Sequence, residues 1–321
     1  MTTTGTSSAL RTAFGWHRPL MALAAAMAAL TVAGIVGIVA DERVLTGLPI
    51  WDKPTKFAIS VLIYAVTWAW LIAVVRDALP GRASRLGHRA GTVAATMLGV
   101  EMVIIVTQVV RGETSHFNTT TALNAALWSA MGLSIAGVWI ATLYVTAQLF
   151  RVRRLDPARA RAIRAGAVLA VVGMALGFLM TSPTAAQMAG ATGIVGAHTV
   201  GLADGGPGLP LLGWSTGGGD LRIPHFVGMH ALQAIPLVLV ALELLAVRVA
   251  VLRSPEVRRG LVGVAVVGLA AVLALLTWQA LRGQSIVAPD ALTVSVFGLI
   301  VAGTAAGSVR ALRHAPRLGS A

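Results

Sequence analysis

Eight apolar runs, each near the ~20 residues a helix needs to cross hydrocarbon, leave this chain few folds to choose from. They lie near 19–40, 57–75, 91–110, 124–149, 163–183, 224–247, 260–280 and 290–309. Hydrocarbon offers backbone N–H and C=O groups no partners, so only internally hydrogen-bonded helices or closed barrels cross it. Uninterrupted runs of this length read as helices. Composition agrees, with 56% apolar and only 12% charged residues, where a soluble domain carries about 25% charged. The expected fold is an all-α integral membrane protein with eight transmembrane helices.

The net charge of +13 raises the question of nucleic acid, and its placement answers it. Of the 25 Lys and Arg residues, 19 fall in 1–18, 76–90, 151–165, 248–259 and 308–321. Only 6 fall in the alternate set, 41–56, 111–123, 184–223 and 281–289. The Lys/Arg-rich side of a membrane protein is cytoplasmic. Both termini are therefore expected inside, the basic charge is a topology signal, and no nucleic-acid partner is expected. Membrane lipids are the expected partners, with a homo-oligomer or a partner membrane subunit beside them. The Ala- and Arg-rich composition points to a bacterial inner (plasma) membrane. The first apolar run is too long for a signal-peptide core and is expected to be retained. The chain has no cysteine, which excludes disulfides, thiolate metal sites and iron–sulfur clusters.

The chain reads as a duplication. Q-x-x-R-G occurs at Gln108–Gly112 and again at Gln279–Gly283, 171 residues later. Pro54 and Pro224, 170 residues apart, each stand just before an outer-side span start. Two agreeing offsets imply two four-helix halves. Because four is even, the halves run in the same direction, related by an axis along the membrane normal. The expected organisation is a cytoplasmic segment 1–18, a first half 19–150 and a basic linker 151–165. A second half, 166–310, includes a Gly-rich extracytoplasmic loop 184–223, and a cytoplasmic tail 311–321 follows. A connection as long as 184–223 is usually functional or disordered; Trp214 and its apolar residues favour packing over the outer face.

Most polar residues of interest sit at the outer ends of spans 2, 3, 6 and 7. In "GDLRIPHFVGMHALQAIP", His225 and His230 are five residues apart, about 140° around a helix, so they are not a tidy i, i+4 metal pair. His230 and Gln233 share a face, and Pro236 is expected to bend the span near Gln233. Glu101 lies near mid-membrane, where an acid is costly and faces a partner or a wet cavity. Glu101 and Gln108 share one stripe. "RGETSHFN" offers Arg111 and His116, and Asn118 begins a glycosylation-like N-T-T. "WDKPTKFAIS" holds both lysines, Lys53 and Lys56, on the side the charge rule disfavours. Lys56 shares a stripe with Ser60 and Thr67, and Asp52 can pair with either lysine. Glu243 is expected to pair with Arg248, and His17, His88 and His314 are expected to be solvated.

Glu101, Lys56 and His230 are accordingly the candidate catalytic groups. Asp52, Gln108, Arg111, Asp220, Arg222, Gln233, Gln279 and Arg282 are candidate substrate contacts, the two Q-x-x-R-G arginines as carboxylate or phosphate clamps. His116, His225 and His230 are candidate metal ligands, since imidazole without thiolate suits haem, copper, iron or zinc. The leading functional expectation is a membrane-embedded metal- or haem-dependent redox enzyme with Glu101 carrying protons. A permease for a small anionic or lipid-like solute is the alternative, followed by a lipid-processing enzyme or an assembly protein. No HExxH, phosphate-binding Gly loop or GxSxG is present.

Overall fold

The computed structural model describes residues 12–190 and 193–313. It is 73% helical. Among the described residues, seven helices are long and apolar enough to cross a membrane, or eight if the bent pair Arg222–Met229 and Ala231–Leu245 is one span. The chain divides into two compact units, Met1–Val152 with Thr181–Ala197, and Arg153–Met180 with His198–Ala321. His314 lies outside the described residues.

The first unit holds α1 (Arg18–Ala40), α2 (Asp52–Ala78), α3 (Arg82–Arg111) and α4 (Ala122–Arg151). A two-residue hairpin, β1 (Val44–Leu45) with β2 (Leu48–Pro49), joins α1 to α2. Helix α1 packs on α2 and α3, α2 on α3, and α3 on α4. Small residues allow these approaches: Gly34 faces Thr55, Gly37 faces the Trp51 ring, and Gly91 faces Ile72 and His17. Close backbone approach is how helices associate where lipid removes the hydrophobic drive between them. Apolar residues of α1 turned away from the unit, Val32, Val36 and Val39, stay exposed, as a lipid-facing surface requires.

His17 departs from expectation. It is 1% exposed, and its Nδ1 accepts the Leu20 N–H at 3.3 Å, capping α1. Its Nε2 then carries the proton and donates to the His88 carbonyl at 2.9 Å. A histidine directly before Arg-Pro and an apolar run sits where an N-cap belongs, so the solvated reading fails for His17 and holds for His88, which is exposed. Burial holds His17 below its ordinary range, with its hydrogen bond to His88 opposing that shift. A histidine depressed in the folded state stabilises fully above its unfolded value, about 6.5, and loses that contribution as pH falls through the lowered one. His17→Ala is expected to cost about 1–2 kcal/mol, the range for a lost cap and its partner. Thermal unfolding in detergent should show this cost shrinking at acidic pH.

The second unit holds α5 (Pro157–Leu176), which continues through a 3-10 turn at Gly177–Met180. It then has β3 (Thr199–Val200) with β4 (Gly219–Asp220), α6 (Arg222–Met229), α7 (Ala231–Leu245), α8 (Pro255–Leu281) and α9 (Ala291–Arg313). Helix α5 packs on α6, α7 and α8, and α8 also packs on α6, α7 and α9. Asp156 caps α5 and Ser254 caps α8. Ala158, Ala162, Ile235, Leu239 and Val262 form an apolar cluster. Gly173 and Gly228 bring the α5 and α6 backbones into contact. The bend of 46° falls between Met229 and Ala231, at His230, and not at Gln233, although Pro236 stands inside α7. Glu243 pairs with Arg159 at 3.1 Å, 84 residues away in sequence, and not with Arg248.

Candidate functional site

The first unit gathers its polar side chains where α2 starts and α3 ends. Asp52 and Lys56, one helical turn apart, form an ion pair, so the candidate catalytic Lys56 is held by the candidate contact Asp52. The other lysine makes the longer connection. Lys53 Nζ stands 3.0 Å from His116 Nδ1, and Ser115 Oγ is 3.1 Å from the same atom. A charged ammonium only donates, so His116 Nδ1 accepts and, in the neutral ring, Nε2 carries the proton. His116 is thus held through Nδ1. Phe57, Phe117 and Trp128 surround the imidazole at centroid distances of 5.5, 6.0 and 5.5 Å.

The loop carrying His116 is fixed by Asn118, itself 3% exposed. Asn118 donates to Glu113 and to the Thr114 carbonyl and accepts from Thr120. The glycosylation-like N-T-T is thus a turn whose asparagine is buried. Phe117 takes a left-handed backbone, φ 63°, which turns its carbonyl to the Val195 N–H while Gly193 accepts the Thr119 N–H. Part of the Gly-rich connection therefore serves as a backbone clamp on this loop.

Below lies Glu101, 3% exposed, with a buried Oε2 that has no hydrogen-bond partner. Buried carbonyl and carboxylate oxygens are rarely left unsatisfied. Tyr64 bonds Thr142 at 3.0 Å deeper in the unit.

In the second unit Asp220, 1% exposed, accepts from the Ser215 N–H at 2.7 Å, the Arg222 N–H at 2.9 Å and the Arg222 guanidinium. Arg222 also donates to the Gly213 carbonyl. These two candidate contacts staple the Gly-rich loop to the start of α6. A small cavity with room for about one water lies among Asp220, Ile223, Gln279 and Gln284. Within the loop, His198 Nδ1 meets Asp204 at 2.6 Å, and the His198 and Thr199 N–H groups donate to the same carboxylate. Burial opposes the Asp204 charge, but His198 and Thr199 outweigh it and hold the carboxyl well below the usual carboxylate range. A depressed acid stabilises above its unfolded value and is lost only as pH falls through the folded one. Hydrogen exchange should show the His198 and Thr199 amides still protected at about pH 4, the ordinary carboxylate midpoint. Asp204→Asn should expose them at neutral pH.

His225 Nδ1 lies 2.8 Å from the Gly173 carbonyl, and its ring rests on Gly177. A carbonyl accepts only, so Nδ1 carries the proton and the Nε2 lone pair is left. His230 Nδ1 meets Gln233 Oε1 at 3.3 Å and has the same tautomer. Phe226 packs against His230 at 4.4 Å, and Trp214 from the loop packs on Phe226 at 5.7 Å. Among the described residues, no three His, Asp or Glu side chains gather closely enough to hold a metal ion.

The two Q-x-x-R-G motifs close alike. Gln108 donates to the Thr114 carbonyl and Gln279 to the Ser285 carbonyl, each six residues on. Gly112 and Gly283 follow with φ 72° and 71°. Arg111 donates to Gln108 and Asn124, and Arg282 binds Asp290 at 2.7 Å while stacking on Trp278 at 4.3 Å. Both arginines tie a helix end to the start of the next helix. No protein-family model, curated protein or solved structure matches the chain.

Proposed function

We propose that this multi-pass membrane protein is a haem- or metal-dependent redox enzyme, with its polar groups at the helix ends that the charge pattern places outside the cytoplasm. The observation that carries the reading is the His225 imidazole, whose Nδ1–H is anchored on the Gly173 carbonyl at 2.8 Å. Such an anchor orients a ligating histidine and leaves Nε2 for the metal. A haem, which one or two imidazoles can hold, would ask less of these residues than a bare ion needing three or four protein ligands. Bound there, such a group would supply one-electron chemistry, while the chain's own part is to orient the His225 imidazole through the Gly173 carbonyl. The matching closure of the two Q-x-x-R-G motifs supports a duplicated scaffold, on which only the second half carries histidines at this helix start. Detergent-purified protein should show a Soret band or stoichiometric metal that His225→Ala abolishes. Neither signal in the unaltered chain overturns the reading.

A second reading, a proton-coupled permease for a small anionic or lipid-like solute, draws support from Glu101 and from the broken span at His230. An acid in mid-span is a functional group by default, and broken helices mark transporter sites. Counterflow in proteoliposomes that Glu101→Gln leaves unchanged excludes proton coupling through that residue.

A further inference from the structure

We propose that the arginine-rich end of the second unit binds an anionic phospholipid, its phosphate on Arg161 and one acyl chain in the exposed trough between α5 and α8. Arg161 stands twelve residues before Gly173 on α5, about 18 Å along the helix. The inference is therefore separate from His225 and stands whether or not that histidine holds a cofactor.

Three observations carry it. The first is charge. Residues 153–164, 243–259 and 310–313 hold 11 arginines, no lysine and 3 acids. These segments meet at one end of the unit: Arg159 bonds Glu243, Arg161 bonds the Arg259 carbonyl, and Gly260 faces Ala311. Each acid is already engaged. Asp156 caps α5, Glu243 pairs with Arg159, and Glu256 accepts from Ser254 Oγ at 2.8 Å. Such an end favours an anionic headgroup over a zwitterionic one, whose own cation would meet the same arginines. The second observation is the seating of Arg161. Its Nη1 donates to the Arg259 carbonyl at 3.0 Å, and a Cβ on Gly263 would fall 2.8 Å from that nitrogen. A carbonyl fixes a guanidinium without offsetting its charge. Among the described residues, no acid pairs with Arg161, and Nε and Nη2 have no acceptor. Arg159, two residues earlier, differs: Glu243 takes both its Nε and its Nη2.

The third observation is the trough. Val168 and Val172 follow Arg161 by seven and eleven residues, on the same face of α5, and are 41% and 45% exposed. On α8, Gly263 lies under the guanidinium, and Val267, one turn on, is 69% exposed. The two helices run in parallel, since Arg161 meets Gly263 while Gly173 and Leu273 both reach Gly228. An apolar strip thus leads from Arg161 into the span. A guanidinium grips two oxygens of one phosphate through a pair of parallel N–H bonds, and the edge of Arg161 that carries Nε and Nη2 supplies such a pair. The phosphate then sits at the helix starts, on the side the charge pattern places in the cytoplasm, and the chain lies on the exposed valines. Basic sites between helices on that side are where anionic headgroups bind.

The test is native mass spectrometry of the full chain in detergent, titrated with dioleoyl-phosphatidylglycerol or dioleoyl-phosphatidylcholine. Ionic strength is held at about 0.15 M, where charges more than about 8 Å apart are largely screened. The anionic lipid should bind at least about tenfold more tightly than the zwitterionic one. Arg161→Met should weaken it by about tenfold or more, the loss expected for charge-assisted hydrogen bonds. Arg161→Lys keeps the charge without the fork and should recover only part. Arg154→Met removes an exposed arginine from the same end and should stay within about twofold of the unaltered chain. Gly263→Ala keeps every charge but pushes Nη1 off its carbonyl, so it should also weaken the anionic lipid. Excess inorganic phosphate should not displace the lipid, because the acyl chain is part of what is bound. Equal affinity for the two lipids, equal losses in Arg161→Met and Arg154→Met, or displacement by phosphate overturns the proposal. Should Arg161→Met fail to fold, Gly263→Ala decides, and an unchanged affinity there overturns it too.

Discussion

Gly173→Leu is expected to abolish folding of the second unit, and even Gly173→Ala to destabilise it by more than about 3 kcal/mol, the upper range for overpacking. A Cβ on Gly173 would stand 2.3 Å from the Gly228 carbonyl carbon and from the Met229 nitrogen. Those are backbone atoms, so no rotamer change relieves the clash, and α5 must move off α6. The movement also carries the Gly173 carbonyl away from His225 Nδ1, removing a bond worth about 1 kcal/mol. Leaving Nδ1–H unbonded where α5 and α6 meet costs more than the bond itself contributed. The control is built into the same chain. A Cβ added at Gly132 in α4 or at Gly298 in α9 would meet nothing within 4 Å. Alanine at either should be neutral or stabilising by up to about 1 kcal/mol, because glycine is costly inside a helix. Thermal unfolding followed by size-exclusion in detergent separates these outcomes. A Gly173→Ala protein as stable as Gly298→Ala would show that the helices do not cross at these glycines.

The spans were legible because hydrocarbon imposes one rule on every residue of a crossing segment, so a twenty-residue average carries the signal. The site was legible only where partners are close in sequence. Asp52 with Lys56 is an i, i+4 pair and readable as such, although the stripe of Lys56, Ser60 and Thr67 drew attention away from Lys53. Lys53 reaches His116 across 63 residues, and only the fold brings them together. The aromatic shell of His116 joins residues of α2, of the loop after α3 and of α4 for the same reason. Glu243 shows the limit in miniature: Arg248 is near in sequence, but Arg159 lies on the helix packed against it. His17 had a local signal, its place before Arg-Pro, that an assumption of solvated cytoplasmic histidines concealed. The tautomers were beyond sequence altogether, because they depend on which atom faces a carbonyl and which faces an ammonium.

Asp220→Ala should cost about 3–5 kcal/mol, the range for removing one partner of a buried ion pair, and should release the Gly-rich loop. Asp220 is 1% exposed and accepts from two backbone N–H groups and one guanidinium. Removing it leaves the Ser215 N–H without its acceptor and the Arg222 charge without its acid. Arg222 keeps its side chain 28% exposed, so water recovers part of the loss and places the result toward the lower end. The local effect should exceed the global one. Gly219, beside Asp220, packs so tightly against the Ala280 carbonyl that a Cβ there would fall 2.0 Å away. The Leu221 N–H bonds the His198 carbonyl at 2.9 Å. The acid therefore holds a strand that lies on the end of α8 and fixes where α6 begins. Asp220→Asn keeps one acceptor oxygen and the side-chain shape but loses the charge, so it should fall between the unaltered protein and the alanine variant. Limited proteolysis across 201–217, with hydrogen exchange at Ser215 and Leu221, reads the loop directly. If the alanine variant resists protease as well as the unaltered chain does, the loop is held by its own turns, and the carboxylate at the head of α6 must be kept for another purpose.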